Sequence, residues 1–286
     1  MMNLWVYIEV TKPRIWSLLV YTGVAGYLIA SRGAVDLKLL ILTLALVMGT
    51  GGANTLTSYI DRDIDSVMKR TMRRPIPSGR IDAGSALYYG LLLSFGSVVL
   101  AYILHPLASI LMLLGLLDNV VIYSLLSKRR TPLNIILGAP SGGIPTLIGY
   151  ASHNGQLPLD AWIFFLLVVI WTPLHIWTLA LVYREDYRRA GVPMYTSILD
   201  EEASMKVIGL SAAALAASGF LFPPLGGIYA SPVFLAMLLV LNGSILLYSI
   251  YAVLKPNFKR VWTLFKITSP YLFIIYTVAV VLAIYG

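Results

Sequence analysis

Residues 38–75 read KLLILTLALVMGTGGANTLTSYIDRDIDSVMKRTMRRP. From Leu39 to Ile60 the stretch carries no charge, and its 22 residues are long enough to cross a bilayer, which takes about 20 mostly apolar residues in a helix. The next 15 residues then hold three aspartates and five basic side chains. A span that ends abruptly in mixed charge marks a membrane boundary, and the whole chain has the composition to match. It is 286 residues long, 58% hydrophobic and only 12% charged, against about 25% charged for soluble domains. It contains no cysteine, which excludes disulfides and thiolate metal sites. The net charge of +8 would suggest nucleic acid for a soluble protein; here it reads as basic loops held on one side of a bilayer, with no nucleic-acid partner.

Working outward, nine apolar segments are expected to span: 14–31, 38–60, 84–103, 106–126, 133–151, 160–183, 204–222, 232–254 and 267–285. Turn formers separate them, as at His105–Pro106 and Pro223–Pro224. The break at His105–Pro106 is so short that its two spans should form a tight hairpin. With nine spans, the N-terminus and the loops after spans two, four, six and eight carry 19 of the 21 Lys and Arg residues; only Arg32 and Lys38 lie opposite. That bias puts the N-terminus in the cytoplasm and the C-terminus outside. The expected fold is all-α, one polytopic domain over residues 1–286. The cytoplasmic loops after spans two and six hold most of the acids, so chemistry is expected on that face.

Asp61 and Asp65 lie four apart and share a helix face. Extending it backward adds Ser58 and Asn54, giving one polar stripe; Asp63 points elsewhere. Two readings fit. One is a solvated loop with Asp61–Arg62 and Asp65–Lys69 pairs. The other is a Mg²⁺ site, because this hard cation takes carboxylate oxygens and bridges to substrate phosphates. Lys69, Arg70, Arg73, Arg74 and Arg80 would then meet the remaining phosphate charge. The second reading is favoured by a stripe that begins inside the membrane, where polar groups are expensive, and by the rigid basic turn RRPIPSGR at 73–80.

The stretches TSYIDRDID (57–65) and KRTMRRPIPSGR (69–80) resemble the first motif and basic turn of UbiA-type intramembrane prenyltransferases, with Thr57 and Ser58 in the usual Asn and Asp places. Within that superfamily, YSLLSKRRTPLNIILGAPSGGIPTLIGYAS (123–152) and WTPLHIWTLALVYREDYRRAGVPM (171–194) look like protoheme IX farnesyltransferases, or heme O synthases. The resemblance implies nine helices around one central cavity and a farnesyl group moved from farnesyl diphosphate to a vinyl group of haem B. Haem is then substrate and Mg²⁺ the cofactor. It implies Asp61, Asp65 and Asp186 as metal ligands, with Asn54, Arg70, Arg73, Arg74, Tyr123, Lys128, Arg129 and Tyr187 around the diphosphate. Haem A synthase or terminal oxidase assembly proteins are the protein partners it suggests.

Other residues keep two readings. His175 shares an α-helical face with Leu179, Val182 and Asp186; it is a hydrogen-bonded core residue, a haem ligand or a base for water. Lys128 and Arg129 also serve as topological charge at a helix end. Asp118 and Asn119, in the middle of span four, are a functional site by default or a neutral, hydrogen-bonded pair. Ser58, Asn134 and Glu185 complete the second tier. Rival functions are a quinone-precursor prenyltransferase and a secondary transporter of an anionic solute. Transporters place polar groups at the bilayer midplane between repeats; no repeat is visible here and the charges gather at one face.

Overall fold

The computed structural model describes residues 4–286, and among the described residues every regular element is helical. In chain order the helices are α1 (Leu4–Val10), α2 (Pro13–Ala30), α3 (Leu37–Ile60), α4 (Arg62–Val67), α5 (Ala83–Leu104), α6 (Pro106–Leu117), α7 (Asn134–Asn154), α8 (Leu159–Val182), α9 (Arg184–Arg189), α10 (Tyr195–Ile198), α11 (Glu201–Ser218), α12 (Pro232–Leu254), α13 (Phe258–Thr268) and α14 (Tyr271–Tyr285). Asp118–Ser127 continues α6 as a π-helix.

Among the described residues, seven helical stretches are long and apolar enough to cross a membrane. The chain is a multi-pass membrane protein. The two expected spans outside that set correspond to α2 and α7. Both spend positions on Gly, Ser, Thr and Pro, which lowers their hydropathy, and the structure shows what those residues do. The two helices lie backbone against backbone. A Cβ on Gly149 would collide with the Gly23 carbonyl oxygen, and one on Gly26 would sit 2.7 Å from that of Thr146. Small residues are how membrane helices approach closely. Gly149→Ala should therefore cost about 1–3 kcal/mol by overpacking. The check is the melting temperature of the purified protein in detergent; an unchanged value would contradict this account of the α2–α7 contact.

The α5–α6 hairpin is as tight as expected, with His105 alone between the helices. Its Nδ1 accepts the Leu107 N–H at 3.1 Å and caps α6. The last span departs from expectation. Helix begins at Phe258 rather than 267, breaks at Ser269–Pro270, and resumes at Tyr271. Pro270 supplies no N–H to the ladder. Upstream, Val261, Leu264 and Thr268 are buried while Lys259 and Lys266 are exposed, so α13 is amphipathic. An apolar-window reading misses such a helix.

One core runs from Val20 on α2 to Ala279 on α14. A smaller one under the charged face contains Ile64, Met68, Ile135, Trp177, Tyr187 and Met194. It joins α4, the start of α7, the end of α8, and α9. By burying apolar side chains from all four, it holds the two acidic loops side by side.

Candidate active site

The helix of the opening stretch ends at Ile60, and Asp61 is its C-cap. The chain re-enters helix at once, and the Asp65 N–H bonds the Asp61 carbonyl at 2.8 Å. The four-residue register survives the break, and Asp61 and Asp65 are each only 3% exposed. Neither expected loop pair forms. Lys128 donates to Asp61 Oδ2, and Arg74 Nη1 donates to both Asp65 oxygens at 2.9 and 2.8 Å. Asp61 Oδ1 is buried with no hydrogen-bond partner among the described residues. Leaving a carboxylate oxygen dry and unpaired is costly, so its vacant lone pairs suit a ligand that approaches from outside the chain.

The rest of the stripe is turned inward. Asn54 Nδ2 donates to the Thr50 carbonyl at 2.9 Å, and Ser58 Oγ to that of Asn54 at 2.8 Å. Asp63 lies off the shared face, as expected; it is exposed and takes Arg129, whose two terminal guanidinium nitrogens reach its oxygens at 2.7 Å. Hydrogen bonding to Arg129 holds the Asp63 carboxyl down to about 2. Arg129, expected at the diphosphate, is thus paired with Asp63 and also donates to the Ile60 carbonyl at 3.0 Å. Arg80 is likewise spent on Glu9, at 2.6 and 2.7 Å. Arg73 stays exposed.

The second acidic motif lies alongside. Asp186 is 7% exposed, and its Oδ2 accepts the Arg70 backbone N–H at 3.2 Å. Arg70 lies over the Tyr183 ring at 5.3 Å, and its Nη2 stands 3.4 Å from the Tyr187 hydroxyl. Asp186 is tied to the basic turn instead of joining Asp61 and Asp65: among the described residues no group of three acids or histidines is placed to hold a metal alone. Glu185 is exposed and pairs with Arg188. A cavity of about 560 Å³ opens beside Arg70, Tyr183 and Asp186.

The π-helix explains how Tyr123 and Lys128 meet. In α-helix, residues five apart face different ways; i→i+5 bonding stacks them. The Lys128 N–H bonds the Tyr123 carbonyl at 2.8 Å, and its ammonium lies 5.6 Å from the Tyr123 ring centre. Gly138 makes room, since a Cβ there would come within 2.7 Å of that ring. Asn134 donates to the Lys128 carbonyl at 3.3 Å, while its own Oδ1 is buried without a partner.

Asp118 has a structural duty. Its Oδ2 accepts the Ser141 N–H at 2.9 Å, beside Pro140 in α7. Asn119 Nδ2 lies 3.3 Å from Ser141 Oγ. His175 does not extend one helical face down to Asp186, because α8 ends at Val182. Its ring stacks between Trp171 and Phe265, both at 4.4 Å, with Nδ1 3.0 Å from Thr268 Oγ1. Trp262 continues the stack on Phe265.

Lys12 escaped the sequence reading. It looked like ordinary topological charge before a proline. Burial, with Arg74 and Lys128 adding repulsion, brings its ammonium down to about 7 against the pull of Asp65 and Asp61.

The model of the UbiA prenyltransferase family matches residues 19–282. The chain belongs to the UbiA prenyltransferase family. Among its relatives in that family is the protoheme IX farnesyltransferase of Thermoplasma volcanium, 42% identical over 96% of both chains. Another is protoheme IX farnesyltransferase 2 of Cenarchaeum symbiosum, 40% identical over 95% of this chain and 93% of that one. Solved UbiA-type folds agree. A UbiA homolog from Aeropyrum pernix superposes with a TM-score of 0.76 at 17% identity, covering 94% of this chain and 98% of its own. One from Archaeoglobus fulgidus, bound to DMAPP and Mg²⁺, gives 0.67 at 13% identity over 95% and 99%.

Proposed function

We propose that this UbiA family member transfers a farnesyl group from farnesyl diphosphate to a vinyl group of haem B, with addition of water, to give haem O. The observation that carries the diphosphate end is the buried pair Asp61 and Asp65, each neutralised by a cation on a different segment. The acceptor rests on the 42% identity to a protoheme IX farnesyltransferase over nearly the whole chain. The charged face is the cytoplasmic one, on the Lys and Arg distribution, with α2 and α7 completing nine spans.

The donor set fits Mg²⁺. This ion binds through one or two carboxylates and completes its shell with water and phosphate oxygens. Asp61, with its free Oδ1, and Asp65 would supply those carboxylates, so no third protein acid is required. Asp186 would act from the far side of the basic turn, on a second ion or on the phosphate through Arg70. When bound, the ion neutralises the diphosphate and so makes it a better leaving group.

The chain's own residues do the rest. Lys128 and Arg74 each hold a carboxylate and face the place where leaving-group charge would grow; Arg70, Arg73 and Tyr187 border it. As C1–O breaks, the electron pair leaves with the diphosphate, and these fixed cations stabilise it without reorganising. The vinyl group attacks the allylic cation through its terminal carbon. Water adds to the haem-side cation and loses a proton. His175, with Nδ1 occupied by Thr268, leaves Nε2 for haem or for that water. The test gives membranes containing the protein haem B, labelled farnesyl diphosphate and Mg²⁺. Haem gaining one farnesyl group and one hydroxyl in mass is the expected product; a prenylated phenol from added quinone precursors, with haem unchanged, would replace the acceptor.

A further inference from the structure

Thr268 is the last residue of α13, fully buried at the break before Pro270. Helix α8 grips it at two points. The Trp171 indole N–H donates to its carbonyl at 2.8 Å, and His175 Nδ1 lies 3.0 Å from its Oγ1. Trp171 and His175 are four apart on α8 and share a face; their rings stack at 4.4 Å and 17°. Phe265, one turn before Thr268 on α13, stacks on the same imidazole at 4.4 Å and 27°. An imidazole held between two rings is hindered from turning about its Cβ–Cγ bond, so Nδ1 stays at Thr268.

The hydroxyl then decides which nitrogen carries the proton. Thr268 Oγ1 also lies 2.9 Å from the Phe265 carbonyl oxygen, which can only accept, whereas a hydroxyl has one hydrogen and two lone pairs. Pointing that hydrogen at Nδ1 would leave two oxygen lone pairs facing each other in a buried site, which is unfavourable. Both contacts are satisfied when Nδ1–H donates to Thr268 Oγ1 and the Thr268 hydroxyl donates to Phe265. A neutral imidazole carries one N–H, and the partner of one nitrogen sets the state of the other. Nε2 of His175 therefore holds a bare lone pair. It makes no hydrogen bond among the described residues, on a ring that is only half-buried.

We propose that Thr268 is a positioning residue that fixes His175 in its Nδ1–H form, so that Nε2 acts as an electron-pair donor. Both chemical roles open to His175, taking the proton of the added water and coordinating haem iron, need that lone pair. If the proton is taken, it comes to rest on Nε2, and the imidazolium still donates to Thr268 through Nδ1. The catalytic consequence rests on the haem farnesylation reading; the protonation state of the ring does not.

The test uses the full chain in detergent, with its three histidines labelled with ¹⁵N, at about pH 8, where an ordinary histidine is neutral. Long-range ¹H–¹⁵N correlation separates a protonated ring nitrogen from a bare one, and His175→Phe identifies the His175 signals by their loss. In the wild type Nδ1 should be protonated and Nε2 bare. Thr268→Ser keeps the hydroxyl and should keep this pattern. Thr268→Val has the same shape without the hydroxyl, and the proton should redistribute toward Nε2. Farnesyl transfer to haem should fall about 10²-fold in kcat for Thr268→Val, the scale of a proton-transfer group, and recover in Thr268→Ser. KM for farnesyl diphosphate should stay within about twofold, because the diphosphate end is untouched. A wild-type proton on Nε2 would overturn the assignment, and an unchanged pattern in Thr268→Val would overturn the role of Thr268. A shifted pattern with full turnover would overturn the catalytic consequence. A wild type that farnesylates no haem would overturn the haem reading, while the ¹⁵N pattern still decides what Thr268 does to His175.

Discussion

Replacing Asp61 by Ala should slow prenyl transfer about 10³-fold or more, the scale of losing a main electrostatic contact to a leaving group. The protein stays folded but is changed in a telling way. Lys128 loses the carboxylate that it donates to and becomes a half-buried cation without a counter-ion. Stability should fall by about 3–5 kcal/mol, the penalty for breaking a buried pair from one side. Asp63→Asn is the matched control. Asp63 is exposed and bound to Arg129, so turnover should stay within about twofold, as for surface substitutions generally. Comparable losses at Asp61 and Asp63 would mean that burial and register do not select the active carboxylates.

The second large effect comes from the other end of that pair. Lys128→Met should destabilise by a similar amount, because Asp61 is then the uncompensated charge. Adding Asp61→Asn to it removes the stranded charge as well, so the double variant should recover most of the stability of the wild type, a strong coupling in a double-mutant cycle. Activity should not recover, since both the carboxylate and the cation are gone. Unfolding in detergent gives the first quantity and farnesyl transfer the second. If the double variant were no more stable than either single one, the Lys128–Asp61 contact would not be the pairing that holds α3 to the π-helix end.

Much of this is legible in the sequence. Apolar length exposed most spans, and a spacing of four placed Asp61 and Asp65 together because a helical register carries through the cap between α3 and α4. What stayed hidden depended on tertiary pairing or on departures from 3.6 residues per turn. Tyr123 and Lys128 share a face only through a π-helix, which no α-periodic reading detects. Arg129 and Lys128 are sequence neighbours of like charge; only the structure sends one to Asp63 and the other to Asp61. Asp118 kept two readings in the sequence, and only the structure shows its hydrogen bond to the Ser141 N–H beside Pro140. The face drawn from His175 to Asp186 assumed continuous helix, and α8 stops short of it. Lys12 was hidden by its ordinary surroundings in sequence, since its left-handed backbone has no glycine to announce it.

The central claim is that Asp61 and Asp65 grip a divalent ion and, through it, a pyrophosphate. Mn²⁺ in place of Mg²⁺ makes that directly visible by electron paramagnetic resonance. The purified wild-type chain with inorganic pyrophosphate should show protein-bound Mn²⁺ with hyperfine coupling to ³¹P, and Asp61→Ala and Asp65→Ala should each lose it. Protein-bound Mn²⁺ with no phosphorus coupling, or coupling that survives both substitutions, would contradict the account.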